Sequence, residues 1–190
     1  HSFPTRRSSD LLHDAREGGY GELGEFDVFS VFITRNKQIW LGTGIGIDVM
    51  DTAFNIIRRY GGKGKGRNDS LGNRPVMDIK EGKDGTMYIG TMGGGAYRLG
   101  KDNVFQHLAL VGNPSEIYCI AIADSEHVVL TGSKGMYLYH PTSGLSAVLN
   151  EHNSFPVTDF NQNAIYRDAI MLMAAGDKGM LMIKEGQIVK

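Results

Sequence analysis

The sequence predicts an all-β fold, a partial β-propeller of about four four-stranded antiparallel blades in an open arc. Three observations carry that prediction. The chain repeats itself four times, at displacements of 41 to 48 residues. Each copy is made of short runs of β-branched and aromatic residues separated by polar turns. Each copy also turns at a glycine placed where a tight connection needs positive φ, whereas helices of the same period tolerate few glycines.

The repeat is plainest between "IWLGTGIGI" at 39–47 and "MYIGTMGGG" at 87–95, displaced by 48 positions. Leu23-Gly24 and Leu71-Gly72 correspond at the same displacement, as do "VFSVF" (28–32) and "VMDIK" (76–80). A third copy is "IYCIAIADSEHVVLTGSKGMYLY" at 117–139 and a fourth is "AIYRDAIMLMAAGDKGMLMI" at 164–183.

Within each copy the order is an inner strand, a polar turn, a second strand ending in small residues, a glycine turn and a third strand. The polar turns are "RNKQ" (35–38), "EGKDG" (81–85), "DSEH" (124–127) and "RD" (167–168). The glycine turns are "GIG" (44–46), "MGG" (92–94), "SKG" (133–135) and "DKG" (177–179). Outer strands are expected at 54–60, 104–110 and 145–150. A sheet this small cannot bury two faces alone, so blade must stack on blade. Trp40, Tyr88, Val129 and Met173 are then expected to fill equivalent positions between blades.

Composition sets the outer limits. With 41% hydrophobic residues in 190, a core can be built. A net charge of −1 argues against a nucleic-acid footprint or a polybasic membrane patch. No apolar run is long enough to span a bilayer, so membrane attachment would lie outside these residues. Cys119 is the single cysteine and is read as a buried thiol.

On the strength of "IWLGT" and "MYIGT", the chain resembles the two-component-regulator propeller repeat of hybrid sensor histidine kinases. The resemblance covers 23–183 and is weaker in the last two copies, where Thr131-Gly132 and Ala175-Gly176 replace the Gly-Thr pair. It implies a periplasmic or extracellular sensor that responds to oligosaccharides or another polar small ligand, from a parent that is a homodimer. Residues 1–11 resemble a translated sequencing adapter, so 1–25 are read as a non-native leader plus an inter-blade loop. The blades are expected at about 26–73, 74–115, 116–158 and 159–190, the last incomplete, which would make the chain an internal piece of a longer propeller.

Catalytic constellations are not evident. The six histidines lack paired metal-ligand spacing, and "KDG" and "NDS" lack the alternating oxygen ligands of a calcium loop. "GGKGKGRNDS" (61–70) lacks the G-K-[ST] ending of a phosphate loop and joins no strand to a helix. Asp78 lies in an inner strand where the other copies carry Ser30, Cys119 and Asn163. It is therefore read as a solvated channel-facing carboxylate with no repeated role. No cofactor, metal or nucleic-acid partner is expected.

Binding is expected where the blade-to-blade connections and the glycine turns share a face. That face collects Arg67, Asn68, Asp69, Asn73, Arg74, Asn113 and Glu116 from connections, with Lys134, Asp177 and Lys178 from turns. These hydrogen-bonding groups suit a polar ligand of low charge. A glycan lyase or hydrolase, and a secreted interaction propeller without a kinase, stand as the alternatives.

Overall fold

A computed structural model describes residues 27–61, 71–72, 74–124, 126–153, 155, 157 and 159–184. They form four antiparallel sheets in chain order. The first holds β1 (Val28–Ile33), β2 (Ile39–Thr43), β3 (Gly46–Met50) and β4 (Ile56–Gly61). The second holds β5 (Val76–Glu81), β6 (Met87–Thr91), β7 (Ala96–Leu99) and β8 (Phe105–His107). The third holds β9 (Cys119–Ile122), β10 (Val128–Gly132), β11 (Gly135–Tyr139) and β12 (Ser146–Leu149). The fourth shows three strands among the described residues, β13 (Phe160–Arg167), β14 (Met171–Gly176) and β15 (Gly179–Lys184).

Each sheet meanders from its first strand outward. The first strands lie side by side, β1 by β5, β5 by β9 and β9 by β13, so the sheets follow one another along an open arc. The three expected outer strands are present as β4, β8 and β12. The expected leader, residues 62–70, where an inter-blade loop is expected, and 185–190 lie outside the described residues.

Three apolar clusters fill the seams between consecutive sheets, as the stacking argument requires. Trp40 of β2 packs in the first seam with Ile47, Val49 and Tyr60 against Ile79, Ile89 and Leu99 of the second sheet. Tyr88 takes the same place in the second seam and Val129 in the third. Their registers agree, since Phe32 faces Trp40, Lys80 faces Tyr88, Ala121 faces Val129 and Tyr166 faces Met173. Burying a side chain the size of Ile89 stabilises the fold by roughly 1.5–3 kcal/mol. The first seam is also aromatic: Trp40 stacks on Tyr60 at 5.6 Å, and Phe105 meets Tyr60 edge-on at 5.0 Å. On the outward faces of the first and fourth sheets, by contrast, Val31 and Ile33 are each 63% exposed and Met180 and Met182 are 59% and 51% exposed.

The repeated Gly-Thr pair has a packing cause. A Cβ on Gly42 would come within 2.6 Å of the carbonyl oxygen of Val76, and one on Gly90 within 2.9 Å of that of Ile117. Each glycine thus admits the chain entering the next sheet. The threonine that follows ties down its own turn, Thr43 Oγ1 donating to Gly46 O at 3.1 Å and Thr91 Oγ1 to Gly95 O at 2.8 Å. In the last two sheets glycine moves one place along. There Gly132 and Gly176 accommodate the carbonyls of Glu116 and Asp159, whose oxygens would lie 2.0 and 2.2 Å from a Cβ at those positions. The second sheet's turn also runs one residue longer than "MGG" suggests and closes at Gly95, φ 70°.

Asp78 departs from the sequence expectation. It is 8% exposed rather than solvated, and its Oδ2 accepts the backbone N–H of Ile120, in the next sheet's first strand, at 2.7 Å. Its Oδ1 takes the N–H of Ile79 at 2.9 Å and pairs with Lys80. Burial pushes the carboxyl above its ordinary range, outweighing Lys80 and the two N–H donors. A role does repeat along the arc, because the matching residues reach across the next seam too. Ser30 Oγ donates to Val76 O at 3.3 Å, and Cys119 Sγ to Asn161 O at 3.4 Å. In the fourth sheet, the pairing of Ile165 with Ala174 puts this position at Ala164 instead of Asn163. An irregularity in β13, with Asn163 at φ 54°, causes the slip.

Candidate functional site

The connections and the glycine turns do share a rim. Arg74 lies along the turn of the second sheet, Nη1 donating to Leu71 O at 2.9 Å and Nε to Gly93 O at 3.4 Å. The next connection docks on the same turn, because Ser115 O accepts the N–H groups of both Gly93 and Gly95 at 2.8 Å. Glu116 follows, bridged to Met92 in backbone pairing. Hydrogen bonds from Ser133 and Tyr118, with the nearby Lys134 charge, hold its carboxyl below the usual range. The structure therefore brings Glu116 and Lys134 together and sets Arg74 at the neighbouring turn.

The other predicted residues are more scattered. Asn113 takes φ 44° in an exposed bend, its N–H donating to Leu110 O at 3.0 Å. Asp177 N donates to Asp159 O at 2.9 Å in the fourth sheet's turn, and Lys178 beside it is exposed. Arg67, Asn68, Asp69 and Asn73 lie outside the described residues.

Sequence reasoning did not anticipate two clefts on the opposite rim, where adjacent sheets splay. The larger, of about 360 Å³, lies between the second and third sheets and is lined by Lys83, Asp84, Tyr88, Arg98, Asp124 and Thr142 among others. Burial, with Asp84 adding, pushes the Tyr88 phenol up to about 12. Arg98 is anchored by Nε to Gln106 Oε1 at 2.9 Å. The two cations and two carboxylates there balance one another.

The smaller, of about 170 Å³, lies between the first and second sheets and includes Gln38, Trp40, Arg58, Glu81, Lys101 and Asn103 in its walls. Arg58 Nη1 donates to Tyr60 Oη at 2.9 Å and to Asn103 Oδ1 at 2.8 Å. Trp40 Nε1 is buried without an acceptor among the described residues, a position that costs about 1–3 kcal/mol when nothing fills it. At its mouth Arg35 crosses the seam. Its N–H, Nε and Nη2 all donate to the Glu81 carboxylate, at 2.8, 3.2 and 3.1 Å. The available signal was the arginine set in or beside apolar strands, in "FNIIRRY" and "AYRL".

Among known proteins, no family model and no curated relative matches the chain. Solved structures do match. The extracellular domain of the hybrid two-component system BT3049 from B. thetaiotaomicron is 20% identical over 85% of this chain and 21% of its own, with TM-score 0.66. That of BT4673 from the same organism is 16% identical over 89% of this chain and 22% of its own, with TM-score 0.65. This is the β-propeller fold. The virginiamycin B lyase of Staphylococcus aureus shares it less closely, at 15% identity and TM-score 0.53 over 83% of this chain and 55% of that one. The chain spans about a fifth of the length of the two extracellular domains.

Proposed function

We propose that these four sheets belong to the extracytoplasmic, ligand-sensing propeller of a hybrid two-component sensor kinase that responds to oligosaccharides. The observation that carries this reading is the likeness of 85% of the chain to the BT3049 extracellular domain, joined to a rim on which Arg74, Glu116 and Lys134 present mixed hydrogen-bonding groups. The stacked sheets act as a rigid platform, and ligand at the rim biases the relative placement of two receptor subunits. The test is to express the receptor containing the chain and measure kinase output against a panel of oligosaccharides. A response that weakens in Arg74→Ala and Lys134→Ala is expected; output indifferent to every glycan overturns the reading.

The fold shared with virginiamycin B lyase supports a second reading, a propeller enzyme, which we take as a lyase or hydrolase acting on glycans. Product formation from polysaccharide by the whole protein, without any change in kinase output, would select it.

A further inference from the structure

We propose that the cleft between the first and second sheets is a binding site for a small sugar acid, a carboxylate carrying hydroxyl groups. The carboxylate and asparagine oxygens around this cleft are already used. Both oxygens of Glu81 are taken by Arg35, Asn103 Oδ1 by Arg58 and Tyr60, and Asn36 Oδ1 by Thr34. The donors are not. Among the described residues Arg58 commits only Nη1, the Lys101 ammonium and the Gln38 amide make no hydrogen bond, and Trp40, 4% exposed, has no acceptor for its indole N–H.

With Glu81 neutralised by Arg35, Arg58 and Lys101 give the cleft lining an excess of positive charge, that of Lys101 shared with the nearby Asp84 carboxylate. A guanidinium and an ammonium select a carboxylate. The neutral Gln38 amide selects the hydroxyl or ring oxygens of the same molecule. The volume, about 170 Å³, equals the liquid share of roughly five or six waters, which suits one small molecule rather than a chain. The charge-balanced cleft of the next seam offers no such excess of cations. The site lies on the rim opposite Arg74 and Lys134, so it does not depend on the sensing reading.

Trp40 is the only tryptophan in the sequence, so intrinsic fluorescence reports this cleft directly. The purified chain is titrated with sodium glucuronate, with glucose and sodium acetate as comparison ligands. We expect a saturable emission change with glucuronate at an affinity about tenfold or more above that for glucose or acetate. Arg58→Gln and Lys101→Gln should each weaken it about fivefold or more, Arg58→Lys less, and Arg167→Gln on the fourth sheet not at all. Circular dichroism confirms that the variants fold. No saturable change, equal binding of glucose or acetate, or titrations unaltered by both Arg58→Gln and Lys101→Gln would each overturn the proposal. Kinase output is not read, so such a failure leaves the proposed sensor role standing.

Discussion

Asp78 in β5 accepts the backbone N–H of Ile120 in β9 at 2.7 Å, carrying a buried carboxylate across the seam between the second and third sheets. Asp78→Ala strands that donor and the N–H of Ile79, and should cost about 2–3 kcal/mol in urea unfolding. Asp78→Asn keeps an acceptor and should cost less.

The same carboxyl gives a signed pH dependence. Its folded pKa lies above the ordinary 3.8, so the folded chain keeps a proton that the unfolded chain has already lost. Its contribution is therefore complete at low pH and falls as pH rises from about 4 through the raised value. The stability gap between wild type and Asp78→Asn should be wider at pH 4 than at pH 7. A gap that widens toward neutrality would refute the burial argument.

Gly42→Ala and Gly90→Ala place a methyl within 2.6 and 2.9 Å of the carbonyl oxygens of Val76 and Ile117. Neither glycine has positive φ, so the penalty is steric alone. Each substitution should destabilise by about 1–3 kcal/mol, read as a lower urea midpoint with an unchanged slope.

Arg35 and Glu81 clamp two turns, but the arginine side chain is 58% exposed. Arg35→Ala should therefore cost no more than about 1 kcal/mol, a fall of some 2–4 °C in Tm for a chain of this size. Added salt should shrink the difference. A salt-independent loss of larger size would mean that Arg35 acts through packing.

Hydrogen exchange should grade along the arc. Every residue of β6 and β10 is buried, whereas alternate residues of β1 and β15 are exposed on faces without a neighbour among the described sheets. Amides of the second and third sheets should exchange most slowly and those of β15 fastest. Uniform protection across all four would contradict stability by shared seams.

The architecture was legible because its causes are local and recurrent. A repeat at near-constant spacing, alternating apolar strands and glycines at turns are properties of single segments, and β4, β8 and β12 fell where those patterns placed them. What crosses a seam was not legible. Nothing near Asp78 in sequence indicates that its acceptor faces Ile120, 42 residues on, and the residues at that position share no side-chain type. The site was half readable for the same reason. Arg74, Glu116 and Lys134 lie in loops that announce themselves by composition. The opposing clefts arise from the splay of two sheets and bring together Gln38, Arg58 and Lys101 from separate strands and turns.

Ser30, Asp78 and Cys119 all address a neighbour's main chain, two as donors and one as an acceptor. Every residue but proline offers both kinds of group there, so the partner's identity hardly matters. A duplicated unit can mutate freely at most places and still latch onto whichever unit comes next. Such a chain can be lengthened, shortened or reshuffled by copying, and its members can lose all family likeness while the joint between them survives.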